Sequence, residues 1–190
     1  GFQVKSFKQA YGFQTLRTND PAEIMRRIWA APTFEVHGLT GGYQGPGVKT
    51  VVPGHGELKV SMRLVPNQTP EKAFALLKRH VAKLNPNVKV EREGMLHPFK
   101  GLFEGPYVEA VKQAVKAGFG KEPAFIREGG SIGAVVTMQK AWKVPILFMG
   151  LSLPEHGYHA PNEYFDWGQA SGGMKAFAHY FAEVAKMGKR

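Results

Sequence analysis

Two segments of the chain carry side chains whose types and spacing could do chemistry. Arg127-Glu128-Gly129-Gly130-Ser131 joins an apolar stretch to a predicted helix. Glycines there leave backbone N–H groups at a helix N-terminus, which favours an anion, and an arginine adds a bidentate partner for a carboxylate. His159, in Gly-Tyr-His-Ala-Pro-Asn-Glu at 157–163, follows a second apolar stretch and could ligate a metal or transfer a proton. The alternatives, a tight turn capped by Ser131 and an ordinary surface histidine, stay open at this point.

Other polar residues fit either a site or a plain surface. One such cluster lies around a predicted strand pair and consists of Lys49, Thr50, Arg63 and Asn67. It could be a solvated face of the sheet, or a polar surface that binds an anionic group of a substrate. His156 has an acidic neighbour in a loop, which predicts a solvated residue.

The elements that would position these groups divide into two regions. Alternating apolar residues predict strands at 33–39, 58–64 and 88–91, and Thr69-Pro70-Glu71 predicts the start of a helix with a stripe at Phe74, Leu77, Val81 and Leu84. Residues 33–94 therefore predict a small α+β unit. Before it, residues 1–32 predict a connecting segment, irregular to 18 and then helical behind an Asp20 cap.

The second region, residues 95–190, predicts three helices separated by two short strands. The strands are 124–126 and 145–149, and the continuous apolar run of the latter is typical of a fully buried parallel strand. Two strands cannot bury themselves, so the region predicts part of a larger, mainly parallel α/β sheet. Ligands gather at the carboxyl ends of such strands, which is where Arg127 and His159 lie.

Composition narrows the function classes. The 190 residues carry a net charge of +10, which favours acidic partners, but the basic residues are scattered and no nucleic-acid-binding motif is present. No apolar run reaches the ~18 residues of a membrane span. The absence of cysteine fits a reducing, cytoplasmic location. Only two of the 15 acidic residues are aspartates, few for a self-contained two-metal hydrolase.

Four segments together resemble one enzyme family, the zinc aminoacyl dipeptidases. Residues 45–53 and 59–68 resemble the lid of these enzymes, and residues 127–132 and 159–163 resemble their catalytic domain. The family includes carnosinase-like dipeptidases, glutamate carboxypeptidase, acetylornithine deacetylase and succinyl-diaminopimelate desuccinylase. The motifs stand in the family's order, and the lid segment is most similar to the carnosinase-like branch.

The resemblance implies a metal-dependent hydrolase of peptide or N-acyl amide bonds, with an α/β catalytic domain and an α+β lid that forms a homodimer. It implies two divalent metal ions, zinc first and manganese or cobalt as alternatives. The positions that match the family's motifs are His159 as a metal ligand, Arg127, Gly130 and Ser131 in the substrate pocket, Arg63 at the substrate carboxylate, Thr50 from the lid, and Asn67 in a lid motif.

The departures from the family limit what this chain does alone. Gly133 stands where the family often has proline and Ala160 where it often has serine, and both changes are tolerable. Nothing matches the family's first histidine, bridging aspartate, paired glutamates or general base. The resemblance therefore implies the C-terminal half of such an enzyme, inactive alone and needing its N-terminal half. A non-catalytic dimerisation or binding module derived from the family is the alternative, and a basic nucleic-acid binder is a third.

Overall fold

The computed structural model describes residues 2–127 and 132–188. These residues form two compact units: unit 1 contains residues 2–25, 100–127 and 132–188, and unit 2 contains residues 26–99. The elements in chain order are α1 (Val4–Tyr11), α2 (Pro21–Ala30), β1 (Glu35–Gly41), β2 (Gly56–Ser61), α3 (Pro70–Leu84), α4 (Pro106–Phe119), α5 (Gly133–Trp142), a 3-10 turn (Pro154–His156) and α6 (Trp167–Met187). The domain ranges 1–32, 33–94 and 95–190 stay a prediction.

The predicted helix starts are confirmed by the side chains that cap them. Asp20 Oδ1 accepts a hydrogen bond from the Ala22 amide at 3.0 Å, before α2. Thr69 Oγ1 accepts from the Lys72 amide at 3.3 Å, with Pro70 in the first turn of α3. Both caps satisfy N–H groups that the first turn of a helix leaves without intrahelical acceptors.

The sheet of unit 2 is an antiparallel pair, β1 with β2, whose register contains a bulge. Val36 lies opposite Val60 and Leu39 opposite Leu58, and the extra residue between Val36 and Gly38 is His37. Side chains alternate along a strand, so one inserted residue brings Val36 and Leu39 to the same face. That apolar face is exposed: Val36, Leu39 and Leu58 are 58%, 80% and 55% accessible.

The core of unit 1 lies between α4 and α6, which pack against each other. Val108, Ala114 and Ala176 are at most 1% exposed. A Cβ added at Gly118 would press on the backbone carbonyl of Gly172 and lie 3.0 Å from the Ala176 Cβ. Glycine at these crossing points is what allows the two helices to approach so closely.

None of the described helices is long and apolar enough to cross a bilayer.

Gly118→Ala is expected to destabilise the chain although alanine is the better helix former. The added methyl meets a backbone atom that cannot rotate away, and overpacking of this kind costs about 1–3 kcal/mol. At an uncrowded helix position the same change would stabilise by roughly 0.5–1 kcal/mol. Urea unfolding measures the free energy of unfolding of Gly118→Ala. Gln113→Ala, which introduces the same residue at an exposed position of α4, is the control. A gain in unfolding free energy would contradict this helix contact.

Several predicted elements are wrong. Residues 1–18, predicted to be irregular, contain α1, and residues 88–91 lie outside any strand. The predicted buried strands at 124–126 and 145–149 are also irregular, and Phe125 and Phe148 are 53% and 55% exposed. A parallel strand is buried only when neighbouring strands and covering helices are present. Among the described residues the only sheet is the antiparallel β1–β2 pair.

Candidate functional site

The segment 157–163, which we call the double-turn segment, carries His159 on two consecutive tight turns. The Ala160 amide donates to the Gly157 carbonyl at 2.9 Å, and the Glu163 amide donates to the Ala160 carbonyl at 3.3 Å. His159 and Asn162, each third in its turn, have φ values of 65° and 62°. Positive φ at that position alone is typical of type II turns, and it is uncommon for residues other than glycine.

His159 is exposed in this segment and is held mainly through its backbone. Its amide donates to Glu163 Oε2 at 3.3 Å, and its ring lies edge-on to Tyr158 with centroids 6.1 Å apart. The Tyr158 hydroxyl lies 3.0 Å from the Tyr11 hydroxyl, which links the segment to α1. The imidazole is therefore presented outward on an ordered turn, as a metal ligand or a proton carrier would need.

His156 lies just before the double-turn segment, and the prediction that it is solvated is wrong. It is 2% exposed, against the rings of Tyr164 and Phe165 with centroids at 5.1 and 5.6 Å. Its Nδ1 accepts from the Leu153 amide at 3.1 Å, and its Nε2 lies 2.8 Å from Asp166 Oδ2. A backbone N–H can only donate, so Nδ1 has no proton, and Nε2–H donates to the carboxylate.

Asp166 holds two groups at once, because each of its carboxylate oxygens has a separate task. Oδ2 accepts from His156, and Oδ1 accepts from the Gln169 amide at 2.9 Å, capping α6. The hydrogen bond from the Gln169 backbone amide, aided by the side-chain hydrogen bond from His156, lowers the pKa of Asp166 against an opposing effect of burial. The resulting stabilisation is present above the ordinary aspartate pKa and is lost as the pH falls through the lower pKa of the folded state.

The structure describes only part of the predicted anion site at 127–131. Arg127 lies in the irregular segment after α4, belongs to unit 1 and is exposed. Gly130 and Ser131 lie outside the described residues, so their part in the anion site stays a prediction.

The predicted lid residues Thr50, Arg63 and Asn67 belong to unit 2 and are exposed. Thr50 is at the centre of a three-residue turn, in which the Val51 amide donates to the Lys49 carbonyl at 3.0 Å. Asn67 lies in the turn after β2.

The backbone of Arg63 is fixed next to β2 by Thr33. The Arg63 amide donates to Thr33 Oγ1 at 3.2 Å, and the Thr33 amide donates to the Arg63 carbonyl at 3.0 Å. These two hydrogen bonds extend the β1–β2 pairing past the end of β2. They fix the backbone position from which the Arg63 side chain extends.

The described residues do not by themselves fit a metal ion. They contain no group of three histidine, cysteine, aspartate or glutamate residues close enough to hold one. His159 offers one imidazole nitrogen to a metal ion, and the nearby Glu163 carboxylate already accepts a hydrogen bond from the His159 amide. Any metal bound at His159 therefore needs ligands from elsewhere, as the small number of aspartates indicates.

Comparison with known proteins shows which enzymes the chain is homologous to. Residues 3–89 match the peptidase dimerisation domain of the M20 peptidases. The chain is 32% identical to the Cys-Gly metallodipeptidase dug1 of Schizosaccharomyces pombe, over 98% of this chain and 40% of that protein. It is 31% identical to the Beta-Ala-His dipeptidase of Homo sapiens, over 87% of this chain and 34% of that protein. The chain is homologous to the M20 metallodipeptidases.

A solved structure extends the homology with the M20 enzymes to the fold. The dipeptidase Dug1p from Saccharomyces cerevisiae superposes with a TM-score of 0.85 at 30% identity, over 98% of this chain and 40% of that chain. The resemblance inferred from the four motifs is confirmed. The predicted fold class is confirmed as a mixed helix and small-sheet fold that matches part of these enzymes. The chain spans 34% to 40% of the length of these relatives.

Proposed function

We propose that the chain is the C-terminal portion of a metal-dependent dipeptidase or amidohydrolase that cleaves a peptide or N-acyl amide bond next to a free carboxylate. The observation that carries this proposal is the superposition of 98% of the chain on a dipeptidase at 30% identity. The chain alone is proposed to be inactive. The general base and most metal ligands would come from the N-terminal half.

The site residues take the roles that the family's motifs give them. His159 would be a ligand to one of two divalent metal ions, zinc first and manganese or cobalt as alternatives. Arg127, Gly130 and Ser131 would line the substrate pocket. Arg63 and Thr50 would reach the substrate from the lid, and Asn67 would complete a lid motif. The exposed, ordered turn that carries His159 supports its role.

The proposed partners are the N-terminal half and a second copy of the chain. Apolar side chains on segments 122–127 and 144–149 are exposed, which supports cover by further protein: Phe125, Ile126 and Val144 are 53%, 62% and 45% accessible. The exposed apolar face of β1–β2 supports a homodimer through the lid. No nucleic-acid or membrane partner is proposed, and the location is proposed to be cytoplasmic.

A second candidate function is a non-catalytic dimerisation or binding module. It is favoured by one observation, the match of residues 3–89 to a dimerisation domain rather than to a catalytic one. A longer protein that dimerises but hydrolyses no dipeptide or N-acyl amino acid when loaded with metal would establish this second function.

Arg63→Ala in the longer enzyme is expected to raise KM for substrates with a free carboxylate about 10- to 100-fold, since a hydrogen bond to a charged group is worth roughly 1.5–3 kcal/mol. A carboxylate in a closed site needs a matched cation. Substrates with an amidated terminus should change much less. Arg79→Ala, on the exposed surface of α3, is the matched control. Equal effects on both substrate classes would rule out the carboxylate contact.

A further inference from the structure

We infer that His156 and Asp166 form a positioning pair that fixes the double-turn segment, and with it the imidazole of His159, on helix α6. The pair consists of a fully buried ring and a helix-capping carboxylate joined at 2.8 Å. It joins the two ends of a loop of nine residues, 157–165, and His159 lies within that loop. Neither residue of the pair is among the predicted site residues.

The ring is held from both directions along the chain. On the N-terminal side the Leu153 amide donates to Nδ1 at 3.1 Å. On the C-terminal side the Tyr164 amide donates to the His156 carbonyl at 3.1 Å, and Asp166 accepts from Nε2. Every polar atom of the ring has a partner of matching donor or acceptor type, so the buried site accepts only one tautomer and one ring orientation.

The double-turn segment needs such an anchor. It has six consecutive exposed residues, 158–163, and two non-glycine residues with positive φ, a conformation that persists only where surrounding structure imposes it. Asp166 supplies rigidity because its second oxygen caps α6, which packs on α4. The position of the His159 backbone is thereby tied to the core of unit 1.

Asp166→Ser separates positioning from capping, because serine retains a good cap for α6 but does not reach His156. Amide exchange measured by NMR on the 190-residue chain should rise about 10- to 100-fold at Ala160 and Glu163, the ratio that a hydrogen bond to a charged group is worth. The Gln169 amide should stay protected. The His156 ring nitrogens should change from one fixed tautomer to an exchanging mixture. Asp20→Ser, the same change at the cap of α2, should alter none of these signals.

A second pair of variants keeps the test decisive where a change at Asp166 disturbs folding. His156→Gln retains a donor for Asp166, whereas His156→Leu fills the volume without any hydrogen bond. Exchange at Ala160 and Glu163 should be faster in the leucine variant than in the glutamine variant. Equal exchange in the two, unchanged exchange and tautomer in Asp166→Ser, or equal rises at Gln169 and Ala160, would overturn the positioning role.

The consequence for metal binding rests on the proposed function and is measured separately. In the longer enzyme, Asp166→Ser should weaken retention of one metal ion about 10- to 100-fold, as loss of groups that orient a ligand does. Faster exchange in the chain together with unchanged metal content in the enzyme would support the positioning pair and count against His159 as a metal ligand whose position the pair sets.

Discussion

The purified 190-residue chain is expected to hydrolyse no dipeptide and no N-acyl amino acid, whichever divalent metal is added. The physical reason is the donor inventory: within residues 2–127 and 132–188 no three ligating side chains come together. Hydrolysis with a two-metal centre requires several carboxylates and histidines that hold both ions. The measurement is release of free amino acid from dipeptides with zinc, manganese or cobalt present in turn.

The matched control is the longer enzyme under identical conditions, which should be active. Adding a separately produced N-terminal half to the chain should restore activity, since the exposed apolar segments would then be covered. Turnover by the chain alone that scales with its concentration and survives repurification would show that the ligands have been counted wrongly. In that case Glu128 and Glu163 would need to be tested as bases.

His159→Ala in the longer enzyme is expected to remove one of its metal ions. Loss of groups that merely orient a ligand costs about 10- to 100-fold in metal affinity or activity, so loss of a direct ligand should cost at least ~100-fold. Elemental analysis after desalting measures the metal content per subunit, and dipeptide turnover gives the rate. The two losses should occur together, because one imidazole serves both.

The control for His159 is His179→Ala, which removes another exposed imidazole of unit 1, on α6. It should leave both metal content and turnover unchanged. If His159→Ala retains its full metal content while turnover falls, the imidazole acts in some other capacity, such as proton transfer. If neither quantity changes, His159 has no role in the reaction.

Local features of the fold were predictable because their causes lie within a few residues. The caps at Asp20 and Thr69 satisfy amides two and three residues away, so the starts of α2 and α3 follow from the sequence. The motifs at 45–53, 59–68, 127–132 and 159–163 were enough to indicate homology to the M20 metallodipeptidases. The small number of aspartates predicts that a metal centre in this chain needs ligands from further protein.

Burial and pairing depended on partners distant in the sequence, and only the tertiary structure decided them. The apolar runs at 124–126 and 145–149 have the composition of buried strands, yet they lie outside any strand. His156 sits in a polar loop sequence, yet Asp166 and two aromatic rings enclose it. The bulge at His37 depends on how β1 meets β2. Capping depends on neighbours in the sequence, whereas burial depends on which other elements the fold brings close.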